Sequence, residues 1–127
     1  MSYYYNKTVS GEFEQVIENI TAALKEQGFG VLTDIDFSGT LKKKIDVDIP
    51  NYRILGACNP GFAYKAYQKE NKIGVMLPCN VIVQQVEGGV EVSAVDPVAS
   101  MQGVGNMELE GVASEVQLKL KLAIDSL

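Results

Sequence analysis

The chain has 127 residues, and 46% hydrophobic with 21% charged residues is the composition of an ordinary globular protein. That length accommodates one domain, residues 1–127, with one core, which excludes a multidomain enzyme. The formal net charge of −5 has the wrong sign for a protein that binds the phosphate backbone, so we expect no nucleic-acid partner. There is no His, which excludes imidazole catalysis and His-metal sites within one chain.

The distribution of apolar residues and cysteines bears on the compartment. The first residues lack the basic start and apolar run of a signal peptide. The longest uncharged stretch, residues 73–86, is too short to span a membrane, so we expect no membrane partner. The two cysteines are expected to be reduced thiols, because the cytosol keeps thiols reduced. The sequence thus predicts a cytoplasmic protein.

The first half of the chain is predicted to alternate strands with helices. Ser10 is a suitable N-cap for an amphipathic helix that carries apolar residues at helical spacing from Phe13 to Leu24 and ends at Gly28. A second, short and charged helical segment is expected around residues 41–45. Runs of aromatic, β-branched or apolar residues predict strands over residues 3–9, 30–35 and 52–58.

Two further helices are predicted in the second half. Asn59 and Pro60 form a good N-cap and first-position pair for a helix over residues 62–72, because Asn accepts a backbone hydrogen bond while Pro loses no needed donor. An apolar stripe with charged residues on the opposite face predicts a long C-terminal helix from Leu109 to Ser126.

A β-hairpin is the clearest local pattern in the chain. Two β-branched runs, residues 73–86 and 90–95, flank Gly88 and Gly89. The uncharged segment that follows, residues 97–107, is predicted to be a loop. We expect this loop to expose apolar side chains that a second copy would cover, namely Val98, Met101, Val104 and Met107.

The predicted order of elements is β-α-β-(α)-β-α-β-β-α. Such an order favours an α+β fold of two layers, in which helices pack on one face of a mainly antiparallel sheet.

Two Cys-Asn pairs are the strongest candidates for a site. Cys58 precedes a predicted helix N-terminus, whose partial positive charge favours a thiolate and makes Cys58 the candidate nucleophile. Cys79 follows Pro78, which cannot donate a ladder hydrogen bond, so its strand is expected to be bulged or at an edge. We expect both cysteines to lie close together and to form one ligand-binding site with Asn59 and Asn80. The alternative is that both thiols belong to the core, since free Cys is among the most buried residue types.

Three weaker ligand-binding candidates are charged. Asp34 shares one face of a strand with Asp36, which suits a hard cation or an acid/base pair, but such a pair is far more often the solvated side of a strand end. Lys42 begins a basic run that could hold an anion or simply be solvated. Asp96, which closes the hairpin with Pro97, is the third.

Several segments match a known family. They are residues 28–36, 40–42, 52–60 and 77–81, and the pair Asp96-Pro97 with Met101. Together they resemble the bacterial and archaeal domain of unknown function family 302, and the two Cys-Asn motifs carry most of the specificity. The resemblance covers nearly the whole chain. It implies a compact α+β domain that forms a homodimer, and it implies no established activity.

Three functions remain open on these observations. The preferred one is a noncatalytic homodimeric module that binds a small molecule, or zinc or another soft metal, through Cys58 and Cys79. Two thiolates fall short of the four ligands usual for structural zinc, so carboxylates or a second copy would complete that site. The second is a thiol enzyme in which Cys58 is the nucleophile and Cys79 the resolving thiol, although no suitable base is evident. The third is an interaction scaffold with both thiols buried. No other cofactor is evident, and the sequence favours a protein that is not an enzyme.

Overall fold

The computed structural model describes residues 2–127, which form five strands, five α-helices and three short 3₁₀ turns. The strands are β1 (Tyr4–Val9), β2 (Gly30–Asp36), β3 (Tyr52–Cys58), β4 (Cys79–Val86) and β5 (Gly89–Val95). The helices are α1 (Phe13–Glu26), α2 (Phe37–Ile45), α3 (Pro60–Lys69), α4 (Pro97–Met101) and α5 (Glu110–Asp125). The 3₁₀ turns span Ile73–Met76, Gln102–Val104 and Met107–Leu109.

All five strands join one antiparallel sheet in the order β1-β5-β4-β3-β2. The hairpin between β4 and β5 is present as predicted, with Gly88 and Gly89 both at positive φ, where glycine adopts the backbone without strain. A side chain at Gly89 would also collide with the carbonyl oxygen of Val9, so this glycine lets β1 approach β5. A tight turn therefore connects β4 and β5, two inner strands of the sheet.

Helices α1 and α5 pack on one face of the sheet and bury the core between the two layers. Val81, Val83 and Val92 of the central strands are fully buried there. Their helix partners recur at helical spacing, and the fully buried ones are Ile20 and Leu24 of α1 and Leu120 and Ile124 of α5. The predicted two-layer α+β sandwich is confirmed.

The opposite face of the sheet carries a row of isoleucines. Ile35, Ile54 and Ile82 are paired in register across β2, β3 and β4. Ile54 and Ile82 are partly buried, and Ile35 is 48% exposed. We call this surface the open face.

Most strand boundaries and both ends of α5 agree with the structure to within one residue. The start of α1 and both ends of α3 differ from the prediction, and α2, expected around residues 41–45, already begins at Phe37. Helix α1 begins at Phe13 with Glu12 as its N-cap and no side-chain capping bond, so the predicted Ser10 cap is wrong. The N-cap at Asn59 is confirmed, but α3 already begins at Pro60 and ends at Lys69. Where a helix ends depends on where the chain must turn back to pack. The spacing of apolar residues does not locate that point to within a residue or two.

Two longer segments differ from their predictions. The stretch 73–86 is not one strand, since a 3₁₀ turn precedes a cis Leu77–Pro78 bond and β4 begins only at Cys79. The predicted loop 97–107 is largely helical, and Met101 and Val104 pack against a second apolar cluster that includes Leu109. Of the four side chains expected to be exposed there, only Met107 is, at 80%.

Candidate functional site

The two cysteines lie at the same end of neighbouring strands. Cys58 is the last residue of β3 and Cys79 is the first of β4, and the register pairs Cys79 with Ala57. The antiparallel pairing of β3 with β4 thus brings to one end of the sheet two cysteines that are separated in sequence by the whole of α3. Both cysteines are free thiols.

The two thiols differ in their surroundings. Cys79 is 9% exposed, whereas Cys58 is partly buried at the start of α3. The pKa of the Cys79 thiol is raised to about 11, mainly by burial and to a smaller extent by the nearby Cys58. Cys79 is therefore protonated at neutral pH unless a ligand displaces its proton.

Both cysteines line one narrow apolar cavity of about 40 Å³, which we call the thiol cavity. One side of the cavity is formed by the ends of β3 and β4 that carry the cysteines. The other side is formed by helices α3, α4 and α5. Its other main walls are Phe29, Phe62, Ala66, Leu77, Pro97, Met101, Leu109, Val112 and Val116. A water molecule needs roughly 10–15 Å³, and a cavity that binds benzene measures roughly 150 Å³. The thiol cavity therefore accommodates a few atoms rather than an organic ligand of ordinary size.

Asn59 borders the thiol cavity, but its amide serves the fold. Its Oδ1 accepts a hydrogen bond from the Phe62 backbone N–H at 3.4 Å, and its Nδ2 donates to the Gln27 carbonyl at 3.5 Å. The amide thus caps α3 and ties it to the end of α1. Gly28 has a φ of +87°, and a Cβ there would lie 2.9 Å from Asn59 Nδ2, so the glycine makes room for this contact.

Asn80 does not join the thiol cavity. It is exposed between the buried residues Cys79 and Val81, so its side chain leaves the strand on the open face. There it lines a shallow groove with Val75 and Ser100, and this groove adjoins the thiol cavity because Cys79 and Met101 line both. Cys58, Asn59 and Cys79 thus line the thiol cavity, whereas Asn80 lies outside it in the adjoining groove.

The family model "Domain of unknown function DUF302" matches residues 5–127. The chain belongs to the DUF302 family. It is also similar to the crystal structure of the uncharacterized conserved protein DUF302 from Bacillus stearothermophilus, with a TM-score of 0.93, 26% sequence identity and coverage of 98% of each chain. No curated protein matches it. The predicted resemblance is thereby confirmed.

Asp34 is held in an ion pair in this DUF302 chain. Its carboxylate accepts hydrogen bonds from two guanidinium nitrogens of Arg53, at 2.8 and 2.5 Å, and Arg53 also contacts Glu14 at 3.1 Å. The hydrogen bonds from Arg53 hold the pKa of Asp34 below its usual range. Asp36 instead caps α2 by accepting from the Gly39 N–H. Both carboxylates therefore have structural partners.

The other two weaker candidates in the DUF302 fold also have local partners. Lys42 forms ion pairs with Asp46 at 2.9 Å and with Asp48 at 3.3 Å. All three side chains are exposed, so this part of the surface is solvated. Asp96 is the N-cap of α4 and accepts from the Val98 N–H at 2.9 Å. It also accepts from the Gln117 side chain at 2.9 Å, which ties α4 to α5.

Sequence reasoning missed one site residue of this family member. Met101, expected to be exposed, instead lines the thiol cavity beside the two cysteines. Across residues 2–127 there is no cluster of three or more His, Cys, Asp or Glu side chains that could hold a metal. Within the same residues, no helix is both long and apolar enough to cross a membrane.

Proposed function

We propose that this DUF302 domain is a noncatalytic binding module that holds a small, sulfur-seeking ligand in the thiol cavity and acts as a homodimer in the cytoplasm. The observation that carries the proposal is that Cys58 and Cys79, from different strands, line one narrow apolar cavity. A soft metal ion is the ligand class that best fits this chemistry.

The size and walls of the cavity support a soft ion. A volume of about 40 Å³ is too small for an organic cofactor and ample for one ion. Thiolates are soft ligands, whereas hard cations such as Mg²⁺ and Ca²⁺ prefer oxygen. The one polar group among the wall residues, the Asn59 amide, is engaged in capping α3. Sulfur is therefore the donor that the cavity presents.

The thiol enzyme is the second candidate, because Cys58, its nucleophile, ends β3 and lies two residues before α3 begins at Pro60. Two observations weigh against it. Cys79, with a pKa of about 11, is a poor attacking thiol at neutral pH. The described residues that line the cavity include no Lys and no carboxylate that could serve as a base.

The homodimer is supported by the open face. Five strands spaced by about 4.8 Å, each about 20 Å long, present roughly 500 Å² per copy. Two such faces would bury roughly 1,000 Å² together, which reaches the minimum expected of a biological interface. The isoleucine row Ile35-Ile54-Ile82 supplies an apolar centre, and Asn80 and Gln84 lie beside it in the manner of a polar rim.

Thiol titration with a disulfide reagent tests the binding function. We compare the reduced full chain with Cys58→Ser and Cys79→Ala variants, each with no metal, with Zn²⁺ and with Ag⁺. Protection of both thiols by a metal, lost in either variant, is the expected result. One fast thiol that no metal protects would instead favour the enzyme. Two slow thiols that no metal protects would return both to the core and overturn the binding proposal.

A further inference from the structure

Met101 is a third sulfur-containing residue that lines the thiol cavity. It is the last residue of α4, it is partly buried, and it lines the cavity together with Cys58 and Cys79. Its position is set from the other end of the helix, because Pro97 is buried and Asp96 caps α4 while accepting from Gln117 of α5. Three elements that are remote in sequence, β3, β4 and α4, therefore each direct a sulfur-containing residue to one small space.

Sulfur donors without nitrogen or oxygen donors select for particular ions. Cys thiolates and Met thioethers are soft ligands that favour Cu(I), whereas structural Zn²⁺ takes four ligands from Cys, His or carboxylates. The thiol cavity has two thiols and one thioether, and residues 2–127 hold no cluster of three metal-binding His, Cys, Asp or Glu side chains. A third donor of thioether type is thus available to a soft ion and is of little use to zinc.

We infer that Cys58, Cys79 and Met101 form a three-sulfur site for a monovalent soft ion, Cu(I). This inference rests on the proposed binding function and names its ion. Binding replaces two S–H protons by one Cu⁺, so two protons leave to solvent and the site gains one net negative charge; copper stays in the +1 state throughout.

The N-terminus of α3 lies next to the site and stabilises its extra negative charge. The N-terminus of α3, a helix of ten residues, begins directly after Cys58 and Asn59 and carries partial positive charge. The apolar walls formed by Phe29, Leu77 and Val116 present no oxygen donor that would compete with sulfur for the ion.

Competition with a chromophoric Cu(I) chelator under anaerobic, reducing conditions tests the inference on the full chain. Met101→Leu keeps the volume and removes the sulfur, and Met107→Leu is the matched control, because Met107 is 80% exposed and does not line the cavity. We expect one Cu(I) per chain, at least tenfold weaker binding for Met101→Leu, no change for Met107→Leu, and loss of binding for Cys58→Ser or Cys79→Ala. Circular dichroism verifies that each variant is folded.

X-ray absorption of the copper-loaded wild-type chain gives a second readout that does not depend on the variants. Three sulfur neighbours are expected, and nitrogen or oxygen neighbours in place of Met101 would overturn the three-sulfur site. Equal affinity of the Met101→Leu and Met107→Leu variants would do the same. If Zn²⁺ protects the thiols and Cu(I) does not bind, the ion assignment is wrong while the binding function stands. If neither ion binds, both fail.

Discussion

The buried thiol of Cys79 makes the free energy of unfolding of this protein fall as the pH rises through the alkaline range. Its pKa rises from an ordinary value of 9.0 to about 11 in the folded chain, first through burial. Between pH 9 and pH 11 the unfolded chain has lost this proton while the folded chain keeps it. The free energy of unfolding therefore falls as pH rises through this window, by up to about 1.4 kcal/mol per pH unit.

The full effect of this one group is roughly 3 kcal/mol, since two pH units separate the folded and unfolded pKa values and each is worth about 1.36 kcal/mol. Stability from this source is complete below pH 9 and is lost as pH rises toward 11. Urea unfolding of the metal-free chain at pH 7.5, 9, 10 and 11, under reducing conditions, measures it.

Cys79→Ala is the control, because other groups also titrate at alkaline pH. Tyr5 is one of them, as its hydrogen bond to Asp125 raises its pKa. The variant retains those groups, so the difference between its unfolding free energy and that of the wild type isolates Cys79. We expect the wild type to lose about 2 kcal/mol of unfolding free energy relative to the variant between pH 9 and pH 11, and the rest of the effect outside this window. A difference that stays constant over that range would refute the reasoning that burial keeps this thiol protonated.

Three further outcomes are expected. Leu120→Ala should lower the free energy of unfolding by about 2–5 kcal/mol in urea denaturation, since Leu120 is 1% exposed in the core; a loss below about 1 kcal/mol would contradict that packing. Asn59→Ala should cost about 1 kcal/mol through the lost cap of α3, whereas exposed Asn80→Ala should cost less than about 0.5 kcal/mol; equal losses would contradict the assigned capping role. Sedimentation at micromolar concentration should give twice the chain mass for the wild type and a monomer for Ile82→Glu, and an unchanged dimer would exclude the open face as the interface.

Local chemistry was enough to predict most elements of the fold. The apolar spacing of α1 and α5 follows from a helix that must bury one face, and the Gly88-Gly89 pair follows from a turn that needs positive φ. The Asn59-Pro60 cap is likewise a property of adjacent residues. Each of these signals lies within a few positions of the structure that it specifies.

Two segments, residues 73–86 and 97–107, differ from their predicted structure. Residues 73–86 are apolar throughout, and an apolar run alone does not separate a strand from a buried 3₁₀ turn. Residues 97–107 lack charge, but Asp96 followed by Pro97 is the same type of cap and first-position pair as Asn59 followed by Pro60. That pair is sufficient by itself to predict α4.

The sequence alone singled out Cys58 and Cys79 as a pair, because each precedes an Asn and stands near a Pro at the edge of a predicted element. The predicted strand already separates Asn80 from Cys79, since one step along a strand moves a side chain to the opposite face of the sheet. The sequence could not place Met101 beside the thiols. That juxtaposition arises only when α4 packs against α5 and closes the cavity, and contacts between elements distant in the chain are set by how their buried faces fit together.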